Sequence, residues 1–200
     1  GNYNWDNGKF PELIEPDPLY ANTSYLKTFK QAAYIAKARA QYLRDFGACL
    51  SPFNAFLLNL GLETLHLRVP RHSENALALA TFLSKHPQVN WVIYPGLKNH
   101  PSHRRIKKYF ERKGASGVLT FGLKGNARAF VKALKVAALV VHVGDARTSV
   151  LHPATSTHSQ LARQDRLAAG IPDDMIRISA GIEDAVDLIA DFDQALNSLR

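Results

Sequence analysis

Cysteine occurs once in these 200 residues, at Cys49, and methionine once, at Met175. A lone cysteine excludes an internal disulfide, and its simplest reading is a small apolar side chain on a helix. No apolar run approaches the roughly 20 residues that a helix needs to cross a bilayer, so a membrane is not expected among the partners. No secretory signal is visible, which bears on targeting only if the natural chain starts here. Also missing are internal repeats, low-complexity linkers, zinc-ligand spacing, a helix-turn-helix and the aromatic motifs of RNA-binding domains. What remains is ordinary globular material, 46% hydrophobic and 21% charged, long enough for one full domain and part of another.

Negative charge is scarce, and the formal net charge is +8. The imbalance is local. Lys98, Arg104, Arg105, Lys107, Lys108, Arg112 and Lys113 face one acid, Glu111, whereas Asp173, Asp174, Glu183, Asp184, Asp187, Asp191 and Asp193 face one base, Arg177. Ile106, Tyr109 and Phe110 stand at helical spacing, so the basic residues read as the wet side of an amphipathic helix. Nucleic acid is therefore not expected as a partner; a basic nucleic-acid binder is the rival that this face leaves open.

Hydrophobic periodicity divides the chain into alternating helices and strands. Residues 24–46 predict one helix, stopped at Gly47. A second helix opens at Ser51 and Pro52, with Phe53, Phe56, Leu57, Leu60 and Leu65 on a largely buried face. A third opens near Ser73 and runs to His86, with Ala76, Leu77, Ala80 and Leu83 inward. Strands are expected at 89–93, 118–123 and 139–143, a helix at 126–136, a loop at 142–158 and a short helix at 160–169. A closing helix over 184–199 would pack Val186, Ile189, Phe192 and Leu196. This order predicts an α/β layer whose sheet is covered on one face.

The run from Met175 to Ala180 would be a buried strand. Side chains alternate along a strand, so Ile176, Ile178 and Ala180 take one face and Arg177 and Ser179 the other. A guanidinium fixed on a rigid strand presents a planar fork of donors suited to a carboxylate or phosphate. A salt bridge to an aspartate of the same fold is the competing reading.

The loop preceding that strand carries His142, Gly144-Asp145-Ala146-Arg147, His152-Pro153-Ala154 and Thr157-His158. Together these resemble the Cys/Met-metabolism family of pyridoxal-phosphate enzymes, and within it the O-acetylhomoserine sulfhydrylase branch more than the cystathionine synthases and lyases. Further agreement runs through Asn7-Gly8-Lys9-Phe10-Pro11-Glu12, Phe46-Gly47-Ala48-Cys49-Leu50-Ser51-Pro52-Phe53-Asn54, Gly61-Leu62-Glu63-Thr64, Arg71-His72-Ser73-Glu74-Asn75 and Tyr94-Pro95-Gly96-Leu97. The likeness covers nearly the whole chain in the family's order.

The resemblance implies the carboxyl-terminal part of a fold-type I pyridoxal-phosphate transferase. Residues 1–68 would be the end of the large cofactor domain with its connecting helices, and residues 69–200 the small domain, with a mostly antiparallel sheet. It implies an O-acetylhomoserine sulfhydrylase that makes homocysteine or methionine and acetate from O-acetylhomoserine and sulfide or a thiol, cytoplasmic and homo-oligomeric, a tetramer in the family. Arg177 would bind the substrate α-carboxylate, with His142 and Val143 beside it; histidine at 142 departs from the serine or asparagine usual there. The family's Ser-x-Thr-Lys segment, whose lysine forms the Schiff base with the cofactor, does not occur in this sequence. The chain alone is therefore expected to bind no cofactor, to hold no catalytic residue and to be inactive, the electron-sink chemistry belonging to the whole protein. A cystathionine-type enzyme and a non-catalytic carboxylate-binding or partner-binding domain are the alternatives.

Three further readings concern the loop. Asp145 and Arg147 would pair to brace it. His152, His158 and Asp145 do not make a recognised metal set. Ser156-Thr157-His158 places a hydroxyl beside an imidazole, but a hydroxyl capping the next helix is the preferred reading. Lys124, Lys132 and Lys135 read as surface residues.

Overall fold

The computed structural model describes residues 3–110 and 114–199. Part of the basic run, Glu111 to Lys113, lies outside the described residues. Two compact units divide the chain, Gly1–Leu60 and Gly61–Arg200.

The first unit is helical. It holds α1 (Pro11–Ile14), α2 (Tyr25–Phe29), α3 (Ala33–Lys37), α4 (Arg44–Phe46) and most of α5 (Pro52–Glu63). The single helix expected over 24–46 is broken. Ser24 caps its start, accepting the Lys27 amide, and Gly47 ends it at φ 64° as expected. Lys30, however, takes φ 50° and ψ −119°, which no helix accommodates, and a 3-10 turn and a π segment flank α3. The break swings α3 so that Lys37 and Gln41 both reach the Asp17 carboxylate. Leu13, Tyr25 and Ala33 form the small core. On α5 the expected burial fails: Phe53, Phe56, Leu57, Leu60 and, beyond it, Leu65 are all exposed. An apolar pattern states only that a face is able to be covered; the packing that covers it is a tertiary matter.

The second unit carries the sheet. After α6 (Leu65–Leu83) come β1 (Val89–Ile93), α7 (His103–Tyr109), β2 (Val118–Leu123), α8 (Ala127–Ala133), β3 (Ala138–Leu139), β4 (Ser149–Leu151), α9 (Arg163–Ala168), β5 (Met175–Ser179) and α10 (Ala185–Asn197). The strand order is β1-β2-β5-β4-β3, antiparallel throughout except for the β3/β4 pair. The mixed α/β layer with a mostly antiparallel sheet is thus as expected. Pairing of Leu119 with Ile178, Phe121 with Ile176 and Val150 with Ile178 puts these side chains on one face. Ala76, Leu79, Ala80 and Leu83 of α6, Phe130 of α8 and Leu188, Phe192, Ala195 and Leu196 of α10 belong to the same core. Phe130 centres it, with ring centroids 5.8 Å from both Phe121 and Phe192. Each buried Leu, Ile, Val or Phe among these contributes about 1.5–3 kcal/mol of transfer free energy.

Several expectations need correction here. Helix α6 begins at Leu65, runs through Pro70 and does not open at Ser73. His72, Ser73 and Asn75, which look like a polar helix start, are buried within it. Leu77 is exposed and Leu79 takes the inward position. The strand expected over 139–143 shrinks to Ala138–Leu139, and the predicted loop contains β4. On α10, Val186 is 73% exposed and Leu188 is buried in its stead. Tyr109 and Phe110 are exposed, leaving Ile106 as the residue through which α7 packs on the core.

Candidate functional site

Arg177 sits at the centre of β5, opposite Thr120 on one side and Leu151 on the other. Its neighbours Ile176 and Ile178 point into the helix-covered core, so period-two alternation directs Arg177 to the opposite face. There it is half-buried. Among the described residues no carboxylate lies within 4 Å of its guanidinium; the bridges found there join other groups. The salt-bridge reading therefore finds no support among these residues, and a permanently charged fork of donors is left for an anion.

Ser179 follows two residues along the same face, roughly 7 Å away. Its hydroxyl accepts the Gly144 amide at 3.1 Å, and the Ser149 hydroxyl on neighbouring β4 donates to the His142 carbonyl at 2.8 Å. These bonds dock the 142–148 loop on the sheet face that carries Arg177. Gly144 has φ 77°, a backbone region that strains residues with a Cβ, which suits the tight turn above Ser179.

Within the loop, Asp145 is the organising group. It accepts the Arg147 amide at 3.0 Å, lies 3.0 Å from His142 Nδ1 and 3.6 Å from the Arg147 guanidinium. The Arg147 amide first, then the His142 ring and the Arg147 side chain, hold its carboxyl down at about 2. The expected Asp145–Arg147 pairing is present. His142 projects into solvent from this brace, and Val143 beside it is also exposed.

The strand is tethered at both ends. Before it, the buried His152 donates from Nε2 to the Asp173 carbonyl at 2.7 Å, leaving Nδ1 to accept from Thr155 at 2.9 Å. Arg163 and Arg166 both bind the Asp173 carboxylate, whose pKa is lowered chiefly by Arg163 and then by Arg166. Both ring nitrogens of His152 are thus engaged in structure. Thr157 bonds to His158 at 2.9 Å, but no hydroxyl caps α9, whose cap position is Ala162; the expected cap is not formed. After the strand, His72 Nδ1 bonds to the Ala180 carbonyl and Asn75 donates to Gly181 and Glu183 carbonyls. Periodicity gave no warning of these α6 contacts, or of Ser149, Thr148 and Glu183, because partners far apart in sequence leave no local pattern.

A Schiff base with pyridoxal phosphate needs a lysine, which is to be sought among the described residues. Lys37, the one buried lysine among them, is tied to Asp17 within the first unit, and the Lys124 ammonium donates to the Pro87 carbonyl. No Schiff-base residue is assigned in this chain.

The chain is similar to several known proteins. Residues 23–197 match the family described as Cys/Met metabolism PLP-dependent enzyme. A homocysteine synthase of Schizosaccharomyces pombe is 48% identical over 98% of this chain and 47% of its own length. O-acetyl-L-homoserine sulfhydrylase 1 of Thermus thermophilus is 47% identical, again over 98% of this chain and 47% of its own. Among solved structures, an O-acetylhomoserine (thiol)-lyase of Campylobacter jejuni, containing N'-pyridoxyl-lysine-5'-monophosphate, superposes with a TM-score of 0.86 at 39% identity. That match covers 96% of this chain and 46% of the other. The chain spans about half the length of the curated relatives it matches. With a family match over most of its length and relatives near half identity, the chain belongs to the Cys/Met metabolism family of PLP-dependent enzymes.

Proposed function

We propose that this chain supplies the substrate-carboxylate site of an O-acetyl-L-homoserine sulfhydrylase, with Arg177 as the anchoring cation and His142 and Val143 lining the approach. The observation that carries it is the half-buried Arg177 on the sheet face opposite the helix-covered core, with no carboxylate partner among the described residues. Names of relatives nearly half identical to this chain support the reaction class. In the reaction, the γ-carbon to oxygen bond of O-acetylhomoserine breaks, acetate leaves with the electron pair, and sulfide or a thiol forms the new carbon–sulfur bond. The products are homocysteine or methionine and acetate. Pyridoxal phosphate supplies the electron sink in the whole enzyme.

Arg177 would grip the α-carboxylate through two parallel N–H donors. Its contribution is positional, because a substrate held at one end presents its reacting bonds in one orientation. By family resemblance we extend the proposal to the division of the chain, residues 1–68 with the large domain and 69–200 as the small one, and to a cytoplasmic homotetramer. Among the described residues no helix is long and apolar enough to cross a membrane.

Kinetics of the full-length enzyme test the assignment. Arg177→Ala should raise KM for O-acetyl-L-homoserine by about 10- to 100-fold, the loss of a charge-assisted bidentate contact of about 1.5–3 kcal/mol. Arg177→Lys should recover only part, since a point charge lacks the planar fork. Unchanged kinetics in the alanine variant would overturn the assignment.

A further inference from the structure

We propose that Glu183 is a positioning residue for the Arg177 site, locking the 142–148 loop onto the end of β5 so that loop and guanidinium meet one carboxylate in a fixed geometry. The inference rests on the reading of Arg177 above and adds a residue to it.

Glu183 follows β5 and turns its carboxylate back toward the loop. Oε1 accepts the Thr148 amide at 2.6 Å and Oε2 accepts the Thr148 hydroxyl at 2.8 Å. That hydroxyl in turn accepts the Gly181 amide at 2.8 Å, and the Ile182 amide donates to the Ala146 carbonyl at 2.8 Å. The loop and the segment leaving β5 are thereby joined through side chain and backbone together. Thr148 is fully buried and Glu183 half-buried, so water reaches these bonds only from the Glu183 side.

The backbone of Glu183 is itself held from behind. Its residue's backbone carbonyl accepts from Asn75 Nδ2 at 2.8 Å and from Arg71 Nη2 at 3.1 Å, both on α6. Space is also closed: a methyl group on Gly181 would fall on the Glu183 carboxylate, the Ala146 carbonyl and the Thr148 amide. Glu183 therefore acts through the loop, whose other end is fixed at Ser179 and Ser149. Without the Glu183 bonds, the loop stays attached at Ser179 but loses its register at Thr148, four residues from Gly144.

The test compares four variants of the full-length holoenzyme with O-acetyl-L-homoserine as substrate: Glu183→Ala, Glu183→Gln, Arg177→Ala and Asp191→Asn. Asp191 controls for general destabilisation, because its carboxylate accepts backbone amides of residues 135–137 and makes no bond to Glu183 or to residues 142–148. Expected is a KM at least tenfold higher for Glu183→Ala with kcat within twofold. Glu183→Gln keeps one acceptor oxygen and loses the other, so its KM should rise about threefold; an unchanged KM in this variant would overturn the role of Glu183 if the alanine variant does not fold. Asp191→Asn should leave KM unchanged. An unaltered KM in Glu183→Ala beside a raised one in Arg177→Ala would overturn the role of Glu183 and keep that of Arg177. Equal rises in Glu183→Ala and Asp191→Asn would overturn it as mere loss of stability. No rise in any variant would overturn both readings.

Discussion

His72 Nδ1 lies 2.7 Å from the carbonyl oxygen of Ala180, a hydrogen bond that ties the middle of α6 to the end of the Arg177 strand across 108 residues. Both groups are buried, so the ring must carry its proton on Nδ1 to donate. Removing the imidazole strands a carbonyl away from water. His72→Ala should cost about 1–3 kcal/mol in chemical denaturation, beyond the effect of lost packing. A loss under half a kcal/mol would mean that water satisfies Ala180 as well as the ring does.

Gly181 occupies a place with no room for a side chain. Gly181→Ala puts a methyl group against the Glu183 carboxylate and two backbone groups of the loop, and backbone does not yield cheaply. Destabilisation of about 1–3 kcal/mol is expected from such overpacking. Thermal melting together with amide exchange at Thr148 would read both the global and the local effect.

The two faces of α10 should respond differently to substitution. Phe192 is fully buried against Phe130, so Phe192→Ala should lose about 3–5 kcal/mol. Val186, six residues earlier on the same helix, faces solvent, and Val186→Ser should stay within about 0.5 kcal/mol. Comparable losses at both positions in urea denaturation would contradict the orientation of the helix.

Asp191 makes stability depend on acid. Burial pushes its pKa up, but the amides of Ala137, Lys135 and Val136 and the Gln194 side chain outweigh burial and set it below the ordinary 3.8. A group whose folded pKa is depressed stabilises the fold above its unfolded pKa, and the contribution vanishes as pH falls through the folded value. The stability gap between wild type and Asp191→Asn should be constant near neutrality and close below about pH 4. Denaturation midpoints measured from pH 7 down to pH 2 would show it.

Cofactor chemistry offers a test of a different kind. After incubation of this chain with pyridoxal phosphate and reduction with borohydride, peptide mass mapping should find scattered labelling of exposed lysines and no stoichiometric site. Labelling concentrated at one lysine would show that the chain itself holds a Schiff-base residue.

Local chemistry made parts of this fold legible in advance. Ser24, Gly47, Asn126 and Asp184 stop or start helices through their own side chains or backbone freedom, and each does so here. The alternating run around Arg177 and the strand at 118–123 appear where period two placed them. The break at Lys30 was invisible, because the helical pattern continues through it, as were the Asp17 contacts that Lys37 and Gln41 make beyond it. Strand β4 is three residues long, too short for its own periodicity to declare it, and exists because β5 offers it a partner.

By itself the sequence determined which residues can cap, alternate and carry permanent charge, since those properties belong to the residue and its nearest neighbours. It set Arg177 on the face opposite Ile176 and Ile178, and it carried the family's motifs in order. Only the tertiary structure decided which polar groups meet. Glu183 with Thr148, His72 with Ala180 and Gly144 with Ser179 are bonds between residues 35 to 108 positions apart. Hydrogen bonding and burial depend on distance in space, and distance in space is fixed only when the sheet and its covering helices close on one another.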